Sequence, residues 1–187
     1  MKHTLVALVQ DKPGVLNRVA SLFRRRAFNI ESLTVGHTDQ PHVSRMTIVI
    51  DSDNTSAHLV EANLAKLVNV IDIQDVTQQE MISRDLALIK VRVDAAGRAE
   101  IAQLAEIFRA KIVDVANDSV VVEATGDEDK IDGLVELLRP KGILEMVRTG
   151  RIAMVRGNQT SQRKNGNGHY NGNGNGHVAR DVGLSSV

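Results

Sequence analysis

Hydrophobic and polar positions alternate in part along residues 3–10, and the run ends at Asp11-Lys12-Pro13-Gly14. That pattern predicts a strand leading into a turn. Pro13 suits the first turn of a helix, where its missing N–H costs nothing. Apolar residues then recur at Val15, Leu16, Val19, Ala20, Leu22 and Phe23, a helical stripe. Asn17, Arg18, Ser21 and Arg24, Arg25, Arg26 fill its polar side. From residue 28 to 37 the spacing returns to alternation and β-branched residues rise at Thr34 and Val35, which predicts a strand. Residues 38–42 read as a turn, and residues 43–51 as a second strand with Met46, Ile48 and Ile50 on one face. A polar break with capping residues at 51–55 precedes a helical stripe of Val60, Leu64 and Leu67. Residues 70–76 return to a strand. The order is βαββαβ.

A second unit repeats that order. Residues 85–94 read as a strand, and 98–109 as a helix with Ile101, Leu104, Ala105 and Phe108 inward. Strands follow at 112–116 and 119–125 around a tight Asn117-Asp118 turn. Residues 127–138 read as a helix carrying Ile131, Leu134, Val135 and Leu138 on one side, and 143–148 as a last strand. The fold class is therefore α+β: two tandem ferredoxin-like βαββαβ domains, each a four-stranded antiparallel sheet with two helices on one face. The expected division is 1–78, 79–156 and a tail at 157–187. The opposite sheet faces are expected to be uncovered and to need a partner, with dimerisation through sheets or helices as the default. Seven of the 14 glycines lie in the tail, five of them in Asn-Gly repeats. Such a segment buries too little apolar surface to offset chain entropy, so disorder is expected there. His169 and His177 read as solvated histidines rather than metal ligands.

Composition narrows the partners. Hydrophobic residues make up 42% of the 187, and the charged ones cancel to a formal net charge of +0. A neutral chain has no broad field to gather nucleic acid or an anionic membrane. Aromatics are 2%: Phe23, Phe28, Phe108 and Tyr170. The cores must be aliphatic, and the exposed rings on which single-stranded bases stack are missing. With no cysteine there are neither disulfides nor thiolate metal sites. The first ten residues do not read as a signal peptide, and no apolar run reaches bilayer length. The expected setting is soluble and cytoplasmic.

The most specific local signal is the loop at 11–14. A helix start exposes unpaired N–H groups at the positive end of the helix dipole, which suits a carboxylate. Gly14 lets a ligand approach the backbone closely. Asp11 can accept hydrogen bonds from an ammonium group. Both charges of a free amino acid would be met within one turn; a plain capped turn is the competing reading. Arg24 to Arg26 read as a solvated helix end, and His37 and His42 as surface histidines. The tip Gln40-Pro41-His42 is expected to be exposed, as an ordinary hairpin loop or a contact for a partner.

This loop and the repeated fold resemble the ACT domain, a ligand-binding module of amino-acid metabolism. The run Asn29-Ile30-Glu31-Ser32-Leu33-Thr34-Val35, then Ser44-Arg45-Met46-Thr47-Ile48, and the run from Glu106 to Val115 in the second unit are similar to the acetolactate synthase small-subunit family. The resemblance covers roughly residues 2–156. It implies a regulatory subunit without catalytic residues or cofactors of its own. It also implies a large catalytic subunit carrying thiamine diphosphate, Mg and FAD, a homodimer through the ACT domains, and feedback inhibition by valine. Carried onto this chain, the effector would bind Asp11, Gly14, Val15 and Leu16 of one chain and Asn29 and Ile30 of the other. Many members have Asn in place of Asp11; the carboxylate keeps an acceptor and adds charge, which favours the ligand ammonium. The alternative within the class is a free-standing ACT sensor of another pathway. An acylphosphatase of the same topology would need an arginine in the first strand-to-helix loop, which here holds Asp11 and Lys12. An RNA-recognition motif would need aromatics on its central strands.

Overall fold

A computed structural model describes residues 1–51, 57–94 and 96–157. The capping residues expected at 52–55 and the tail beyond Gly157, including His169 and His177, lie outside the described residues. The first unit runs β1 (Lys2–Gln10), α1 (Val15–Arg25), β2 (Ile30–His37), β3 (Val43–Asp51), α2 (Ala57–Leu64) and β4 (Val70–Asp75), its sheet ordered β2-β3-β1-β4 and antiparallel throughout. Because side chains alternate along a strand, the register Leu5↔Ile48 and Ala7↔Met46 puts these residues on one face. There they form the core with Val19 and Phe23 of α1 and Val60 and Leu64 of α2.

The second unit runs β5 (Met81–Arg92), α3 (Arg98–Ile107), β6 (Lys111–Val115), β7 (Ser119–Gly126), α4 (Glu128–Gly142), β8 (Ile143–Arg148) and β9 (Ile152–Val155). Its sheet is ordered β6-β7-β5-β8. Ala87, Ile89 and Val91 meet Ile101, Ile131, Leu134 and Leu138 in an aliphatic core. Asp127 caps α4 by accepting a hydrogen bond from the backbone N–H of Lys130 at 3.1 Å. The spacing predicts that this helix stops at Leu138. It continues through Pro140 to Gly142, since a proline so near the end removes only one hydrogen bond.

Helices α1 and α3 end in the same way. Ala27 and Arg109 take left-handed backbone angles, φ 55 and φ 50. Phe28 N–H donates to the Phe23 carbonyl and Ala27 N–H to that of Arg24; Ala110 and Arg109 repeat this with Ala105 and Glu106. Both are Schellman closures. At the first, the hydrophobic contact is an edge-to-face pair of Phe23 and Phe28, ring centroids 6.0 Å apart. Left-handed angles cost a residue with a Cβ about 1–2 kcal/mol. Ala27→Gly is therefore expected to stabilise the chain by about 1 kcal/mol, read as a rise in melting temperature; a fall would contradict this account of the cap.

The second face of the first sheet is not open, contrary to the sequence-based expectation. Thr4, Val6 and Leu8 are buried. The start of β5 pairs with β9 as a two-stranded ribbon, Met81↔Val155 to Arg84↔Ile152. Val6, Val76 and Val155 form a small third core with Met81. The covering strand comes from the chain itself, so this face needs no second molecule. Among the described residues the corresponding face of the second sheet stays open, with Leu88 and Val147 exposed.

The two units also meet along a polar cleft of about 540 Å³. Lys2 Nζ stands 3.3 Å from Glu31 and 2.9 Å from Glu128. Arg151 lies 2.6 Å from Glu128, and Arg148 pairs with Asp85 at 2.7 Å and Asp132 at 2.6 Å. The hydrogen bond from Lys2 holds the Glu128 carboxyl below its ordinary range, and the same bond raises Lys2. Burial alone would lower Arg148, but its bonds to Asp85 and Asp132 outweigh that and raise it.

Candidate functional site

The turn from β1 into α1 is built mostly by backbone. Asp11 N–H donates to the His42 carbonyl at 2.8 Å, which ties the loop to the β2–β3 hairpin. Lys12 N–H donates to Gln10 at 3.0 Å and Val15 N–H to Lys12 at 3.3 Å. Gly14 sits at the helix cap with φ 85 and ψ -6, a left-handed conformation that glycine adopts without cost. No side chain caps the helix start. Among the described residues nothing lies within 4 Å of where a Gly14 Cβ would stand, so they leave the space in front of this helix end open. The carboxylate of Asp11 is half exposed and lies 3.5 Å from His37 Nδ1. The loop thus offers backbone donors, a dipole end and an acceptor on one side.

The other predicted residues divide by orientation. Val15 is buried in the core, so only its backbone faces the loop, whereas Leu16 is 46% exposed. Asn29 is exposed at the start of β2 and Ile30 packs partly on the core. Ile30 pairs with Ile50, which pairs with His3, while the loop leaves β1 beyond Gln10. Seven strand residues separate those levels, roughly 23 Å at the rise of a β-strand. One chain therefore brings Asp11, Gly14, Val15 and Leu16 together and keeps Asn29 and Ile30 at the far end of the sheet. An amino acid cannot bridge that distance within a single copy.

His37, expected as an ordinary surface histidine, is the neighbour that residue-by-residue reading missed. The hairpin register places it opposite Ser44, at the end of the sheet where β1 exits. Pairing residues 30–37 with 43–51 would have located it. Among the described residues there is no group of three or more His, Cys, Asp or Glu that could hold a metal ion. No helix among them is long and apolar enough to cross a membrane.

Known proteins resemble this chain along both units. A family model described as the AHAS small subunit-like ACT domain matches residues 5–72, and one described as the small subunit of acetolactate synthase matches residues 84–157. The chain belongs to the acetolactate synthase small-subunit family. A probable acetolactate synthase small subunit of Archaeoglobus fulgidus is 52% identical over 159 residues, 85% of this chain and 99% of that protein. The acetolactate synthase small subunit of Mycolicibacterium smegmatis is 48% identical over 155 residues, 83% and 91% of the two chains. The crystal structure of the small subunit from Thermotoga maritima superposes with a TM-score of 0.78 at 40% identity, covering 85% of this chain and 99% of that one. A small subunit of a biosynthetic enzyme implies a regulatory role beside a catalytic large subunit. The ferredoxin-like arrangement read from the pattern of the first unit, and the ACT domain that the resemblance implies there, both agree with these matches.

Proposed function

We propose that this chain activates the large, catalytic subunit of acetolactate synthase and makes it sensitive to valine. The effector binds between two copies: Asp11, Gly14, Val15 and Leu16 of one, and Asn29 and Ile30 of the other. The observation that carries this reading is the separation of those two groups within one chain. Among the described residues β2 is an edge strand with one side unpaired. Antiparallel pairing of β2 with its copy about a two-fold axis would set Asn29 and Ile30 of the partner subunit beside His37 and the loop at 11–16. Leu16 and Val35, 46% and 44% exposed, supply apolar surface on that side. The helix start would receive the effector carboxylate and Asp11 its ammonium.

The energies suffice for a metabolite sensor. Burying a valine side chain contributes about 1.5–3 kcal/mol, and each charge-assisted hydrogen bond about 1.5–3 kcal/mol. Lost ligand freedom offsets much of this, leaving micromolar to millimolar affinity. Regulation needs a coupling of only about 1–3 kcal/mol. The condensation of two pyruvates belongs to the partner, with its thiamine diphosphate, Mg and FAD; this chain contributes no catalytic residue. In this reading the chain divides into an effector domain at 1–78 and a second domain at 79–156, and works in the cytoplasm. No observation favours a free-standing sensor of another pathway. Calorimetry of the full-length chain with valine tests the reading: two sites per dimer are expected, and no heat of binding at millimolar valine would refute it.

A further inference from the structure

The strand that would meet the effector is also the strand against which the second unit leans. Glu31 follows Asn29 and Ile30 and lies where the β2–β3 register shifts, between Ile30 and Ser32. Its carboxylate faces Lys2 at 3.3 Å. Lys2 reaches Glu128, in the first turn of α4, at 2.9 Å, and Glu128 holds the Arg151 guanidinium at 2.6 Å. Arg151 then donates its backbone N–H to Ser32 Oγ at 2.9 Å, and its guanidinium reaches Thr4 Oγ1 at 3.3 Å. The circuit leaves β2 at Glu31 and returns to it at Ser32, having passed through α4 and the link between β8 and β9.

Gly150 removes the slack from that return. A Cβ there would fall inside the contact distance of Ser32 Oγ, 2.5 Å from Thr34 Oγ1 and 3.3 Å from the Leu33 carbonyl carbon. The backbone of the second unit is thus pressed on three consecutive residues of β2. A displacement of β2 at Ile30 has to push on Gly150 or stretch the Ser32–Arg151 bond. As a source of stability the circuit is minor, because Lys2 is 47% exposed and exposed ion pairs contribute little. Its position, beginning one residue past Ile30, is what sets it apart from surface pairing.

We propose that the Glu31–Lys2–Glu128–Arg151–Ser32 circuit, with Gly150, is the coupling element that carries effector occupancy from β2 to the second unit. This rests on the effector site proposed above. The test uses full-length chains, alone and reconstituted with the large subunit, and valine as the probe. Lys2→Met is expected to bind valine, as an isolated chain, within about twofold of wild type; Gly150→Ala, whose Cβ would press on Ser32 and Thr34 of β2, is read only in the holoenzyme. In the holoenzyme they should raise the valine concentration for half-inhibition at least fivefold. Lys2→Arg keeps a cation in the circuit and should restore the response. Lys2 is exposed enough that its variants will fold even if Gly150→Ala does not. An inhibition curve for Lys2→Met that overlies wild type overturns the relay, as does loss of valine binding by the isolated Lys2→Met chain. Gly14→Asp, run alongside, separates the two ideas. If it binds and responds to valine like wild type, the effector site is misplaced and the relay falls with it; if it loses binding while Lys2→Met loses only response, both stand.

Discussion

Gly14→Asp should cost the reconstituted enzyme its valine sensitivity while leaving the chain folded. The new Cβ meets nothing within 4 Å, and aspartate tolerates the left-handed angles of this position better than most residues. The backbone penalty is about 1 kcal/mol, well below the stability of a domain. The functional cost is larger. In the proposed site the added carboxylate would stand at the positive end of α1, on the side open to the ligand, and would take the place of the effector carboxylate. Losing one or two charge-assisted bonds there, at about 1.5–3 kcal/mol each, weakens binding about a hundredfold, or about 2.8 kcal/mol. Valine titration of the holoenzyme checks it, with circular dichroism to show the fold. A half-inhibition value within threefold of wild type would place the effector elsewhere.

Phe23→Ala is the substitution expected to damage the fold most. Phe23 is the largest fully buried side chain of the first core. It also supplies the ring against which Phe28 closes the end of α1, and its carbonyl accepts the Phe28 N–H at 3.1 Å. Truncating a buried phenylalanine costs about 3–5 kcal/mol, and a chain of this size loses roughly 2–4 °C of melting temperature per kcal/mol. A drop of roughly 6–20 °C is expected by scanning calorimetry. The turn at 26–29 would lose its anchor as well, so Asn29 at the start of β2 should be less firmly placed and valine binding weaker even below the melting point. A loss under about 1 kcal/mol would mean that this core repacks more freely than its aliphatic neighbours allow.

Most of the fold is legible because the two periodicities differ: alternation marks β1 and β3, and the 3.6-residue stripe marks α1 and α4. β3 is found to the residue, Val43–Asp51, since a turn and a polar break bound it. β9 is not legible. Four residues are too few for a period, and Ala153 and Val155 become inward only when the ribbon finds the first sheet. Missing β9 led to the expectation of an uncovered face on that sheet. The site is legible in halves. Asp11 to Gly14 stands out as a strand-to-helix loop, and the stripe already turns Val15 inward. Asn29 and Ile30 carry no local signal of binding and come from the family resemblance. His37 beside Asp11 depends on strand register, which no single segment contains.

The claim that the effector site is shared between two chains has one direct test. If the site is shared, Gly14→Asp changes its loop side and Asn29→His its strand side, so each homodimer would have two defective sites. A dimer mixing the two variants places both changes in one site and leaves the other with a native loop and a native strand. Calorimetry with valine on tandem-purified mixed dimers should therefore show one site of wild-type affinity per dimer, where neither homodimer binds. Mixed dimers that bind no better than either homodimer would contradict a site built across the two chains.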